Sequence, residues 1–273
     1  MSRDVVVIIG AGGMGLAIGR RLASGRTLLL ADRDETALKA AADVLLAQGH
    51  EVVTRTVDAA DRASVAALAT TTVELGRPSH IVHTAGVSPV QADPATILHV
   101  DLFGVALFLD AFEPVVGPGS AGLVVASTGG HLGPRMTPEQ VREVINTPTD
   151  ELLALDFLAP SAMRDSARAY SVAKQATLIR VRAAALAWGR RGARINTISP
   201  GVVLTPMGSA ELAGAWGPDM QKLTDQAPAG RVGTPDDVAD AALFLLGDQA
   251  RFVTGTDLLV DGGSVALWHS LAR

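Results

Sequence analysis

Seven short runs of apolar residues, each followed by a longer stretch with helical spacing, constrain this chain more than any other feature. The runs are residues 5–9, 27–31, 52–57, 80–83, 123–126, 194–198 and 258–260. Their hydrophobicity is continuous rather than alternating, as in strands buried on both faces, while stretches such as 35–48 and 62–75 between them carry helical patterns. Strands separated by helices join through crossovers. The expected fold is therefore an α/β, doubly wound, seven-stranded parallel sheet flanked by helices. No internal repeat or low-complexity linker breaks the rhythm, and 273 residues with 48% hydrophobic side chains are enough for one large core, so a single domain over 1–273 is expected.

Composition narrows the function classes. The chain has no cysteine, which removes disulfides, thiolate nucleophiles and cysteine-held metals; no metal site is expected, and catalysis must run on oxygen and nitrogen groups. With 23 basic and 28 acidic residues and no long run of like charge, neither nucleic acid nor an anionic membrane is an expected partner. The uncharged stretch 5–19 has 15 residues broken by five glycines, short of the ~20 that cross a bilayer, and 114–134 carries three prolines and six glycines. Asp4 before the first apolar run and Arg20 and Arg21 after it do not make a secretory signal, and a cytoplasmic protein is expected.

The segment 131–165 departs from the strand–helix rhythm. Thr137 before Pro138 and Glu139, and the run Thr147, Pro148, Thr149, Asp150 before Glu151, Leu152 and Leu153, read as two short helix starts. An insertion with helices of its own is expected past the fifth strand, at the sheet edge where open α/β folds bind ligands.

VVVIIGAGGMG puts Gly10, Gly12 and Gly15 in the spacing GxGxxG, after a strand and before a helix. Such a loop, here including Gly13 and Met14, turns tightly and brings backbone N–H groups and a helix N-terminus to a pyrophosphate, so a Rossmann-type dinucleotide site is expected. Asp32, about 20 residues beyond at the end of TLLLAD, would accept hydrogen bonds from the adenosine ribose and repel a 2′-phosphate, favouring NAD. Arg33 keeps NADP open, because an arginine there can hold a 2′-phosphate, stack on adenine, or simply be a solvated turn residue.

Tyr170, the single tyrosine, precedes Lys174 by one helical turn in AYSVAK, so the two side chains share a helix face. A phenol titrates near ~10 and is a poor acid or base at neutral pH. A neighbouring ammonium is expected to favour the phenolate and bring the value down, so that tyrosine exchanges a proton with a substrate oxygen while a nicotinamide exchanges hydride with the adjoining carbon.

Together with YSVAK, the segments SPGVVLTPM (199–207), GRVGTPDDVADAALFLL (230–246) and TGTDLLVDGG (254–263) resemble the short-chain dehydrogenase/reductase family over nearly the whole chain. The resemblance implies that Tyr170 is the catalytic acid/base and that Lys174 assists it and binds the nicotinamide ribose. It implies that Ser127, with Thr128 as a further candidate, holds the substrate oxygen at the end of the fifth strand. Pro200, Val203 and Thr205 would position the nicotinamide carboxamide, Asp58 and Ala59 the adenine, and Ala85 and Gly86 the nucleotide. Three departures stand out: a glycine loop one residue shorter, HTAG with His83 and Thr84 in place of two asparagines, and Asp101 where an asparagine usually completes a proton relay through water on its backbone carbonyl. His83 is expected to be a hydrogen-bonded core residue.

Ser127 and Tyr170 are 43 positions apart, which resembles the bacterial hydroxysteroid dehydrogenase/carbonyl reductases with extra helices between these residues. Leu152, Leu153, Leu155, Phe157 and Leu158 would line an apolar pocket or pack an oligomer interface. Residues 206–230, with Trp216 among their apolar side chains, would form a substrate lid. The expected enzyme interconverts a secondary alcohol and a ketone, on a lipophilic small molecule, using NAD or NADP. It is expected to be a homodimer or homotetramer through the helix 171–188, with Arg180 and Arg182 near the interface rim. A dinucleotide sensor without turnover, or an epimerase or dehydratase that regenerates its cofactor, are the rival readings.

Overall fold

The computed structural model describes residues 3–271. Seven strands, β1 (Asp4–Ile9), β2 (Thr27–Asp32), β3 (Glu51–Thr56), β4 (Arg77–His83), β5 (Ala121–Val125), β6 (Arg194–Pro200) and β7 (Asp257–Val260), form one parallel sheet in the order β3-β2-β1-β4-β5-β6-β7. The expected architecture is therefore the observed one, with strand ends differing by a few residues. Continuous hydrophobicity has the expected cause. Val5, Val7 and Ile9 of β1 enter one core, Val6 and Ile8 the other, and every strand between the edges is buried on both sides.

Crossover helices cover the two faces. On one lie α1 (Gly13–Leu22), α2 (Glu35–Ala47) and, from the C-terminal half, the helix Pro235–Leu246. The other carries α3 (Arg62–Leu75) and the helical run that begins with α4 (Pro94–Ile97), passes through a π-helical turn (Leu98–Phe103) and continues as α5 (Gly104–Phe112). The run Pro94–Phe112 is long and apolar enough to cross a membrane, but most of it is buried inside this domain. After β5 come α6 (Gly129–Leu132), α7 (Pro138–Asn146) and the 25-residue α8 (Ser166–Arg190). After β6 come α9 (Pro206–Leu212), α10 (Gly217–Gln226), α11 (Pro235–Leu246) and, beyond β7, α12 (Ser264–Leu271).

The insertion folds onto its own chain. α7 starts after Thr137, as the sequence predicts, and is closed there by a capping box with Gln140, whereas the second helix start yields only 3-10 turns over Thr149–Ala154, Asp156–Leu158 and Pro160–Ala162. Leu152 and Leu158 are buried in a third core beside Ile97, Leu102, Val172 and Ala176, with Leu153, Leu155 and Phe157 packed against it. The leucines expected in a pocket or at an interface thus fasten the insertion to α4, the π turn and α8. Arg180 serves the same attachment. Its guanidinium, expected at an interface rim, is partly buried and donates to the carbonyls of Val144 (2.9 Å) and Thr147 (3.1 Å) and to Thr149 Oγ1 (3.2 Å). Asp150 adds a surface ion pair to Arg62 at 2.6 Å.

Candidate active site

The C-terminal ends of β1 and β4, where the strand order reverses, form the crevice in which this architecture binds ligands. Gly10 leaves β1 at φ +103°, a left-handed conformation that glycine adopts without strain. Thr84 fixes that turn by donating to the Gly10 carbonyl at 2.8 Å, so one residue of the divergent HTAG segment has a defined task. A side chain at Gly15 would overlap the Gly10 carbonyl, whereas beside Gly12 there is open space. Helix α1 starts at Gly12 without a side-chain cap, so its first N–H groups, from Gly13 and Met14 onward, lie open to an anion.

Asp32 lies alongside this loop. Its carboxylate accepts from the Ala11 N–H (2.7 Å) and the Asp34 N–H (3.0 Å), which fixes its orientation at the end of β2. Arg33 next to it is exposed. Asp58 is also exposed and closes a turn by accepting from the Ala60 N–H at 2.8 Å, while Ala59 is buried, its carbonyl beside Gly104. Ala85 donates to the Ile9 carbonyl at 2.9 Å, and Gly86 lies against Asp101 and Lys174. On the opposite wall Pro200 ends β6, Val203 is buried, and Thr205 caps α9 by accepting from the Gly208 N–H at 3.0 Å. A Cβ on Gly13 would lie 3.1 Å from Thr205 Cγ2, so the two walls meet across the crevice. An uncapped helix start, a glycine cradle and a fixed carboxylate suit a dinucleotide.

The reacting groups converge on Gly129. A Cβ there would lie 3.0 Å from Tyr170 Cε1 and 3.4 Å from Ser127 Oγ, so the glycine lets the first turn of α6 approach closely without displacing the ring. Ser127 Oγ accepts from the Gly129 N–H at 3.0 Å and is near enough to Tyr170 to favour its phenolate; Thr128 stands at the N-cap position of α6 without a side-chain cap. Lys174 Nζ lies 5.3 Å from the Tyr170 ring centroid. His131 holds α6 from below, its Nε2 2.9 Å from Asp257 Oδ2 on β7 and 3.2 Å from Ser199 Oγ on β6.

Charge in the site differs from the expectation in two places. Burial raises the Tyr170 hydroxyl above its ordinary value; Lys174 and Ser127 work in the other direction without overcoming it. The expected lowering by lysine therefore does not prevail. His83 is fully buried with no hydrogen-bond partner on either ring nitrogen among the described residues, contrary to its expected role. Burial, then the Lys174 charge, pushes it down to about 3, so it stays neutral and packs edge-on against Phe108. Asp101 is fully buried in the π turn; its Oδ1 accepts from the Val87 N–H at 2.8 Å and its Oδ2 lies 3.4 Å from Lys174 Nζ. Glu211 on α9, which no motif singles out, is half-buried and close enough to act on Lys174 and Tyr170; burial raises it.

A seven-stranded sheet of this order, with a glycine loop at its switch point and a Ser–Tyr–Lys cluster beside it, defines a nucleotide-dependent oxidoreductase. The family model described as enoyl-(acyl carrier protein) reductase matches residues 10–140 and 135–265. The short-chain dehydrogenase/reductase bsc3 of Alternaria brassicicola is 38% identical over 97% of both chains. Galactitol 2-dehydrogenase (L-tagatose-forming) of Cereibacter sphaeroides is 32% identical over 94% of this chain and 92% of its own. Among solved structures, levodione reductase superposes with a TM-score of 0.77 at 26% identity over 97% of this chain and 98% of its own. The chain belongs to the short-chain dehydrogenase/reductase family and is an NAD(P)-dependent oxidoreductase.

Proposed function

We propose that the protein interconverts a secondary alcohol and a ketone, with Tyr170 as acid/base, Ser127 holding the substrate oxygen and Lys174 supporting both tyrosine and cofactor. The convergence of the Tyr170 ring and Ser127 Oγ on Gly129 carries this reading. When bound, the nicotinamide supplies or accepts the hydride. In the reducing direction Ser127 donates to the carbonyl oxygen and Tyr170 passes its proton to that oxygen, leaving a phenolate that Lys174 stabilises. The backbone of Gly10, Gly12, Gly13, Met14 and Gly15 holds the phosphates, Asp32 the adenosine ribose, and Asp58, Ala59, Ala85 and Gly86 the adenine side. Pro200, Val203 and Thr205 hold the carboxamide. Asp32 favours NAD, with Arg33 the residue that admits NADP.

The substrate is a lipophilic small molecule enclosed by residues 206–230, and the enzyme is a cytoplasmic homo-oligomer. Exposed Trp216, together with half-buried Met207 and Leu212 on the α9–α10 excursion, supports an apolar closure. A second reading, a polyol, is favoured by the Glu211 carboxyl beside the site and by the galactitol activity in the name of one relative. A panel of bulky ketones, polyols and small hydroxy acids, followed at the nicotinamide absorbance with each cofactor, separates these readings. Tyr170→Phe should lower turnover at least ~10²-fold on the best substrate with little change in cofactor affinity. Near wild-type turnover in that variant overturns the mechanism.

A further inference from the structure

Asp101 sits where its charge and its main chain do different things. Thr177 Oγ1 donates to the Asp101 carbonyl at 2.9 Å, so the backbone oxygen is engaged within the core. The side chain instead faces the site. Oδ1 is held by Val87, and Oδ2, without a well-formed hydrogen bond among the described residues, lies 3.4 Å from Lys174 Nζ in a pocket where the two side chains are 0% and 6% exposed. A carboxylate this close to a buried ammonium largely cancels its field, an effect an asparagine cannot have. The charged and titratable groups facing the cluster are Lys174 and Tyr170 on α8, Asp101 in the π turn, neutral His83 at the end of β4 and Glu211 on α9.

We propose that Asp101 is a positioning residue that neutralises Lys174 electrostatically, so that Tyr170 keeps its proton and serves as an acid for ketone reduction across a wide pH range, while alcohol oxidation requires alkaline conditions. This rests on the assignment of Tyr170 as the proton-transfer group, but its test does not need turnover. Tyr170 is the single tyrosine, so tyrosinate absorbance near 295 nm reports this hydroxyl alone. Asp101 Oδ2 lies 3.4 Å from Lys174 Nζ and Nζ 5.3 Å from the Tyr170 ring centroid, and a unit charge within about 9 Å in an effective dielectric of ~20–40 shifts a titration by about one pH unit. Asp101→Asn, nearly isosteric and still able to accept from Val87, should move the Tyr170 midpoint down by that amount, and Glu211→Gln should move it down less. Tyr170→Phe should abolish the signal. An unchanged or higher midpoint in a folded Asp101→Asn protein overturns the proposal. If that variant does not fold, Glu211→Gln together with Lys174→Met, which should raise the midpoint, decides it: no response in either refutes the electrostatic coupling. A shifted midpoint with full activity in Tyr170→Phe would overturn the catalytic assignment and leave the coupling standing.

Discussion

Gly129→Ala is the sharpest probe of how the site is assembled. Gly129 lies in the first turn of α6 at a helical backbone angle, so alanine meets no conformational obstacle; what it meets is the ring of Tyr170 at 3.0 and 3.1 Å. That is tighter than ordinary carbon–carbon contact at about 3.5–4.0 Å, so the ring or the turn must yield by a few tenths of an ångström. Reactions that depend on near-attack geometry lose up to ~10²-fold for a displacement of 1 Å. The expected loss in kcat is therefore about 3- to 10-fold, or about 0.7–1.4 kcal/mol in the barrier. The glycine loop lies elsewhere, so cofactor affinity, read by nicotinamide fluorescence, should stay within about twofold. Steady-state kinetics beside a thermal unfolding curve separate displacement from misfolding. A folded variant with kcat within twofold of wild type would refute the claim that Gly129 sets the distance between Ser127 and Tyr170.

Two further perturbations address cofactor choice and the insertion. Asp32→Ala should weaken NADH binding and narrow the gap to NADPH, because both the ribose acceptor and the brace on the Ala11 N–H are lost; equal affinities in the wild type, measured by titration, would transfer control to Arg33. Arg180→Ala should cost about 1–3 kcal/mol, since three acceptors lose a charged donor, and hydrogen exchange should rise over residues 144–149 before it rises in the sheet. Lysine should not rescue it, because a single ammonium cannot span the three acceptors. Unchanged exchange in that segment would show that the insertion is held by its leucines alone.

The sheet was legible because double-sided burial writes the same signal into every strand, and the catalytic turn was legible because Tyr170 and Lys174 stand one turn apart. What stayed hidden depends on which way a side chain faces after packing. Glu211 reads as a solvated helix residue, and Arg180 as a surface charge on a long helix; only the docking of α9 and of the insertion turns them inward. The π turn around Asp101 leaves no mark, since LHVDLF has the composition of an ordinary helix and the altered hydrogen-bond register comes from its surroundings. Gly129 and Gly130 read as a loose turn, yet their importance lies in contacts with α8 some 40 residues later. His83 lies in the core as its place in a buried strand suggests, but the partner such a polar residue ordinarily finds is not there among the described residues, and burial keeps it neutral instead.

The contact between His131 and Asp257 also bears on the order in which the protein becomes competent. It joins the turn that carries Gly129 to the last of the seven strands to be synthesised, across 126 positions of sequence. Such long-range contacts are slow to form and must await the arrival of both partners. The seat of α6 on β7 is therefore among the last contacts open to a chain emerging from the ribosome, and the turn that carries Gly129 gains this support only once β7 has been made.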